Sequence, residues 1–284
     1  MKSKRVLTLF LLSFLLCVSL VPLALLGHDW KLLFVLPVYF SVTLYLLQKS
    51  PSQREKWITA FIMSIPPLLL MGPTHVLHFS ETRFSLPSTL AHLAGISFAF
   101  VANELKKRIH FIFSGLLVLL ATIAAFNMYP MWLHKINFGS FTGKVKYALP
   151  APITGMVQNQ HLLRNEDLLG KVLVLDFWHT KCGVCFREFP QLESLFKKYR
   201  NNASVRFFAV NKQLKTDTTG QAFAVLGKLN YSFPILMPSD KFFADKVGVE
   251  AYPTVLVIDK SGTVVFKGDL ENAKDVVDDL LRNR

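Results

Sequence analysis

The fold of this 284-residue chain turns on one stretch, Val172-Leu-Val-Leu-Asp176-Phe-Trp178-His-Thr-Lys-Cys182-Gly-Val-Cys185-Phe-Arg-Glu188-Phe-Pro190. Its first half, Val172–Phe177, is a continuous apolar run broken only by Asp176, as expected of a strand buried on both faces. Its second half opens a helix. From Cys182 to Arg200, the residues Phe186, Phe189, Leu192, Leu195, Phe196 and Tyr199 recur on one broad face. A Cys-x-x-Cys therefore sits where a buried strand hands over to a helix. Two residues three apart in a first helical turn share a face, at a spacing a disulfide spans. The helix N-terminus supplies free N–H groups and a positive dipole end, which favour a thiolate at Cys182. Lys181 adds a cation beside it, and Cys185, one turn in, is the better-buried resolving thiol.

Downstream, Val205–Val210 reads as a second buried strand. Gly220–Leu229 and Asp240–Val247 read as helices, and Thr254–Asp259 with Thr263–Lys267 as a hairpin about Lys260-Ser261-Gly262. Asn272–Arg282 is a closing helix with an acidic start and a basic end. Upstream, 134–170 reads as an extended linker leading into an edge strand or hairpin at the N-terminal edge of this domain, with one helical turn at Asn165–Leu169 capped by Asn165. Residues 171–284 thus form an α/β domain with a mixed sheet flanked by helices.

Residues 1–133 have a different composition. They carry 11 Lys/Arg and 4 Asp/Glu, against 21 and 15 in residues 134–284. Five apolar segments account for the deficit: Val6–Leu26, Leu32–Leu47, Trp57–Gly72, Leu86–Ala102 and Ile109–Trp132. A membrane span needs about 20 such residues. The shorter segments reach that length with their flanks, the second if Lys31 snorkels to the interface. Pro66-Pro67 marks the third as kinked or re-entrant. Lys2, Lys4 and Arg5, then Lys49, Arg54 and Lys56, then Lys106, Lys107 and Arg108 alternate with loops holding only Lys31 or Arg83. That alternation places the N-terminus in the cytoplasm and the C-terminal domain outside. Cleavage of the first segment as a secretory signal is the alternative, and it leaves the final side unchanged.

The net charge of +13 is explained largely by the nine cytoplasmic anchors facing anionic lipid, not by nucleic-acid binding. His92, inside the fourth segment, reads as a helix-packing residue, with an ionisable functional group as the alternative. Cys17 is single among the spans, so they hold no dithiol to relay electrons.

For the Cys-x-x-Cys itself, half a zinc site and a purely structural bridge compete with redox exchange. Zinc needs two further ligands, and His179 is the sole nearby candidate. Thiol–disulfide exchange is the favoured reading. The segment Val174–Pro190 resembles the active-site segment of the thioredoxin superfamily, closest to its membrane-anchored TlpA/ResA-like branch. The carrying residues are Phe177, Trp178, Thr180, Cys182, Cys185, Glu188 and Pro190. A second similarity covers Val249-Glu-Ala-Tyr252-Pro253-Thr254 and the strand that follows.

The resemblance implies a cis Pro253 facing the cysteine pair across a substrate groove. Trp178, Tyr252 and Thr254 would line that groove, Tyr252 offering backbone groups to an incoming strand. It implies that Asp176 takes the proton of Cys185, the alternative being an acid hydrogen-bonded at a strand end. His179 tunes Cys182 or is simply solvated, and Pro190 kinks its helix. Two positions depart from the family: Lys181 stands where many members have Trp, and Gly183-Val184 replaces the Gly-Pro of thioredoxin. Couples in this fold range from about −270 to about −120 mV, and these changes predict one less reducing than thioredoxin.

The function expected is a thiol–disulfide oxidoreductase anchored in a bacterial cytoplasmic membrane and facing the periplasm. Its only redox group is the cysteine pair, with no separate cofactor and no metal. Periplasmic protein thiols and disulfides, apocytochromes among them, would be its substrates, with a membrane or periplasmic partner to reset it. A Cu(I)-carrying module of the same fold is the alternative.

Overall fold

The computed structural model describes residues 3–157, 161–218 and 220–282. The chain divides into two compact units, Met1–Leu133 and His134–Arg284.

In the first unit, α1 (Ser3–Ser19) runs on through a short 3-10 turn. It is followed by α2 (His28–Gln48), α3 (Gln53–Leu77), the single turn α4 (Phe79–Thr82), α5 (Leu86–Asn103) and α6 (Lys107–Ile123). A π-helical turn at Ala124–Met128 joins α6 to α7 (Tyr129–Phe138). Five helical stretches are long and apolar enough to cross a membrane: Ser3–Leu25, His28–Gln48, Gln53–Leu77, Phe79–Asn103 and Ile109–Phe138. Each extends past its apolar segment because the flanks are themselves good helix starts. Ser52, for example, caps α3 by accepting from the Glu55 N–H at 3.3 Å.

One sequence expectation needs amending here. The third segment is a single continuous helix rather than a re-entrant piece, since α3 runs through Pro66, Pro67 and Pro73. Pro67 has no N–H to give the Met63 carbonyl, and the Ser13 hydroxyl of α1 donates to that oxygen instead, at 2.7 Å. Lys31, in the first turn of α2, is 5% exposed. Helix α5 packs α2 through a stripe of small residues, Ala91, Gly95 and Ala99. A Cβ on Gly95 would stand 2.7 Å from the Leu36 carbonyl oxygen, so only glycine permits this approach.

The second unit is an eight-stranded mixed sheet in the order β1-β8-β7-β4-β5-β6-β2-β3. Its strands are β1 (Lys144–Ala148), β2 (Gly155–Val157), β3 (His161–Leu163), β4 (Val172–Trp178), β5 (Val205–Asn211), β6 (Ile235–Pro238), β7 (Thr254–Ile258) and β8 (Thr263–Gly268). β4, β5 and β6 are parallel, and β7 runs antiparallel to β4. The sheet is covered by α8 (Gly183–Tyr199), α9 (Gln221–Gly227), α10 (Phe243–Lys246) and α11 (Leu270–Arg282).

The alternation of β4 divides the core. Val172, Val174 and Trp178 pack with Phe189 and Leu192 of α8 and Ala273 and Val277 of α11. Leu173, Leu175 and Phe177 pack on the other face with Phe243 of α10 and with Ile153 and Leu168 from the connector. The connector supplies both an edge strand, β1, and a hairpin, β2–β3, as its sequence leads one to expect. It lays β1 along β8 at one edge, and β2 pairs with β6 near the other. Arg164, not Asn165, caps the turn at Asn165–Leu168, its N–H donating to Asp167. β6 was not expected, and the helix expected over Asp240–Val247 shrinks to the single turn α10.

Candidate active site

β4 delivers its last residue, Trp178, to the turn His179-Thr180-Lys181, and Cys182 then caps α8. The Cys182 N–H donates to the His179 carbonyl at 3.0 Å, while its sulfur accepts from the Cys185 N–H at 3.1 Å. Cys182 and Cys185 are joined as a disulfide, with Cα atoms 5.3 Å apart. Cys182 is 6% exposed and Cys185 1%, so the first sulfur is the one substrate can reach. A sulfur held at a helix N-terminus faces unpaired N–H groups, which stabilise it as a thiolate once the bridge opens.

Thr254 lies opposite Phe177 in the β4/β7 ladder, which brings the preceding loop beside the cysteine turn. In that loop Tyr252–Pro253 is a cis peptide. The Tyr252 ring meets the His179 ring edge-on, with centroids 5.2 Å apart. Two of the three side chains expected in the groove do not reach it. Trp178 is fully buried, edge-on to Phe186 and Phe189, and Thr254 is fully buried with its hydroxyl donating to the Ala251 carbonyl at 2.7 Å. Strand alternation turns both into the core, leaving Tyr252 at the surface side of the site.

Asp176 lies in the sheet between Ala209 of β5 and Val255 of β7, neither of which offers it a partner. It is 2% exposed, and its Oδ1 has no hydrogen bond among the described residues. Burial, reinforced by the Glu188 carboxyl, pushes its pKa well above the usual carboxylate range. Glu188 is itself raised, by burial first and by Asp269 second, with Arg187 opposing. A buried carboxyl that keeps its proton to higher pH than usual can take and return a proton.

His179 moves the other way. Burial lowers its pKa, Asp217 opposes and Lys212 assists. Its Nδ1 accepts from the Lys181 N–H at 3.2 Å, which fits a neutral ring. Pro190 sits inside α8, which continues past it to Tyr199.

The sequence reading missed the wall opposite the cysteines. The Lys212 N–H donates to the Trp178 carbonyl at 2.8 Å, continuing the β5 ladder past its end. The Lys212 ammonium pairs with Asp245 and stands 5.8 Å from the centre of the Tyr252 ring. Asp217 accepts from the Thr180 hydroxyl at 2.6 Å and from the Leu214 N–H at 2.9 Å, tying the 212–218 loop to the cysteine turn. These residues carry no spacing signal, since the sheet alone assembles them. Among the described residues, no group of three or more His, Cys, Asp or Glu is placed to hold a metal ion.

A strand–Cys-x-x-Cys–helix unit facing a cis-proline loop on a mixed sheet defines a thioredoxin-fold domain. Residues 148–267 match the AhpC/TSA family. That stretch is similar in sequence to proteins named thiol-disulfide oxidoreductase ResA.

Thiol-disulfide oxidoreductase ResA of Halalkalibacterium halodurans is 33% identical over 100 residues, 35% of this chain and 54% of that protein. Thioredoxin-like protein YneN of Bacillus subtilis is 33% identical over 99 residues, 35% of this chain and 56% of that protein. ResA of Bacillus subtilis is 26% identical over 166 residues, 56% of this chain and 84% of that protein. The chain thus spans about half the length of the first two relatives. Among solved structures, a thiol:disulfide interchange protein from Bacteroides sp. aligns at 15% identity. It covers 50% of this chain and 93% of its own, with a TM-score of 0.43.

Proposed function

We propose that this chain is a membrane-anchored thiol–disulfide oxidoreductase that works outside the cytoplasm through Cys182 and Cys185. The observation that carries the reading is the Cys182–Cys185 bridge at the N-terminus of α8, with the more accessible sulfur first. In the reducing direction, the Cys182 thiolate attacks a substrate disulfide and one substrate thiolate leaves. Cys185 loses its proton to Asp176 and attacks the Cys182 sulfur. The second substrate thiolate departs and the Cys182–Cys185 bridge remains. Two electrons pass from the pair to the substrate. No cofactor beyond the pair enters this scheme.

The relatives named as thiol-disulfide oxidoreductases support the exchange chemistry. Substrates would be disulfides of exported proteins, apocytochromes among them, and a separate partner must return electrons to the pair. The five apolar helices would cross the membrane with the basic loops inside and the C-terminal domain in the periplasm.

A Cys185→Ser variant tests the mechanism in cells, because it stops at the mixed disulfide. Recovery of exported proteins bonded to Cys182 is expected. Tight stoichiometric Cu(I) binding with no turnover of insulin or glutathione would overturn the reading in favour of a metal carrier.

A further inference from the structure

The interior of the membrane unit holds a thiol and an imidazole that face each other. Cys17 of α1 and His92 of α5 are both fully buried, and the Cys17 sulfur stands 3.9 Å from His92 Nε2. Ser13, one turn before Cys17 in α1, ties the neighbouring helices to this place. Its hydroxyl donates to the Met63 carbonyl of α3 at 2.7 Å, and its own carbonyl accepts from the Tyr39 hydroxyl of α2 at 3.1 Å. Ser13, Tyr39 and Met63 are fully buried as well, so four helices enclose the pair.

The imidazole is oriented as a ligand would be. His92 Nδ1 lies 3.1 Å from the Thr89 carbonyl, and a carbonyl only accepts. Nδ1 therefore carries the proton, and the Nε2 lone pair is aimed at the sulfur. The Tyr39 ring meets the His92 ring edge-on, with centroids 4.8 Å apart, and holds it there. Metal-binding histidines are fixed in this way, by an acceptor on the nitrogen away from the metal. A thiol is a weak donor, so at 3.9 Å it leaves that lone pair poorly satisfied.

Distance, ligand count and charge together select an ion. Metal bonds of about 2.3 Å to a thiolate and about 2.0 Å to an imidazole put the two donors about 3.6 Å apart at a tetrahedral angle and about 4.3 Å apart in a line. The observed 3.9 Å lies between these limits. Among the described residues no third His, Cys, Asp or Glu completes the group, whereas zinc requires four ligands. A divalent ion on one thiolate would also leave a net positive charge in an apolar interior. A monovalent ion leaves none, because the thiolate cancels its charge and the imidazole stays neutral. Thiolate and imidazole donors suit Cu(I).

We propose that Cys17 and His92 form a two-ligand Cu(I) site inside the membrane unit, separate from the Cys182–Cys185 pair. Cu(I) displaces the thiol proton, which passes to water; one Cu–S and one Cu–N bond form, and no electron is transferred.

The full chain in neutral detergent, with Cys182 and Cys185 held as their disulfide so that Cys17 is the free thiol, is titrated anaerobically with Cu(I) against the coloured chelator bicinchoninate. Retention of one Cu(I) per chain is expected, with X-ray absorption at the copper edge showing one sulfur and one nitrogen neighbour. Cys17→Ser and His92→Ala should each weaken retention about tenfold or more. His110→Ala, whose ring lies beside Gln48 at the far end of α2, should not. Failure of the unaltered chain to hold Cu(I) against the chelator overturns the proposal, as does a two-sulfur shell or preferential retention of Zn(II). So does a folded Cys17→Ser or His92→Ala protein, checked by circular dichroism, that binds like the parent. All these readouts are independent of thiol turnover.

Discussion

The two units pack their interiors in opposite ways. In the membrane unit α5 meets α2 through small residues, Ala91, Gly95 and Ala99. In the redox unit large rings, Trp178, Phe186, Phe189, Tyr231 and Phe233, pack edge-on or tilted around the cysteine helix. Water explains the difference. A soluble core is driven by removing large apolar surface from water, so bulky rings contribute most. Between lipid-facing helices that drive is missing, and close backbone approach and interhelical hydrogen bonds take its place. The redox unit also buries a titratable group, Asp176, whose Oδ1 has no hydrogen bond among the described residues.

The sharpest way to separate the units is chemical. Cys182→Ser should abolish disulfide turnover altogether, while Cys17→Ser should leave it within about twofold, because a thiol with no second Cys near it cannot form the bridge. Insulin reduction by the full chain checks this, and a large loss from the Cys17 change would bring the membrane unit into the chemistry. Packing comes next. Phe189→Ala removes a fully buried ring and should cost about 3–5 kcal/mol, read as a shift in the denaturant midpoint of the C-terminal domain. Gly95→Ala adds one methyl and should still cost the membrane unit about 1–3 kcal/mol, since Leu36 backbone lies in its way. If Gly95→Ala proved neutral, the close-approach account of that unit would fail.

How much of this was readable in advance follows the same division. Val172–Phe177 identified its own strand, because a run buried on both faces has to be apolar, and the Cys-x-x-Cys marked the start of α8. β6 was invisible: a strand of four residues is too short for a periodic signal, and it exists because β5 offers an edge. Trp178 was placed in the groove by family pattern, while strand alternation sends it inward with Val172 and Val174. The Lys212–Asp245 and Thr180–Asp217 pairs span 33 and 37 residues and no local rule finds them. In the membrane half the loop charges were legible, but the close approach at Gly95 was not, because it depends on which face of α2 meets α5.

Asp176 provides a subtler test, through pH. Its pKa is raised in the fold, so the folded protein holds that proton more tightly than the unfolded chain does. The contribution is fully present in acid, below the unfolded value, and is lost as pH rises through the folded value. Asp176→Asn cannot ionise. The variant should therefore be more stable than the parent at alkaline pH, with the gap closing in acid. Thermal midpoints of the oxidised protein at several pH values measure the gap, and a difference constant with pH would mean that the carboxyl is not buried unpaired.

The smallest effect is the most specific to the membrane unit. Ser13→Ala removes the hydroxyl that reaches the Met63 carbonyl left free by Pro67, and the buried oxygen then loses that donor. A net hydrogen bond is worth about 1 kcal/mol, and an unsatisfied buried acceptor costs about 1–3. Thr8→Ala is the control. Its hydroxyl also donates to a backbone carbonyl, that of Lys4, but in an exposed turn whose helix bonds are complete. Reversible unfolding of the full chain in mixed detergent should show a loss for Ser13→Ala and almost none for Thr8→Ala. Equal effects would mean that α3 carries its prolines without help from α1. The membrane unit would then be held by small-residue packing alone, and its contrast with the aromatic core would be sharper still.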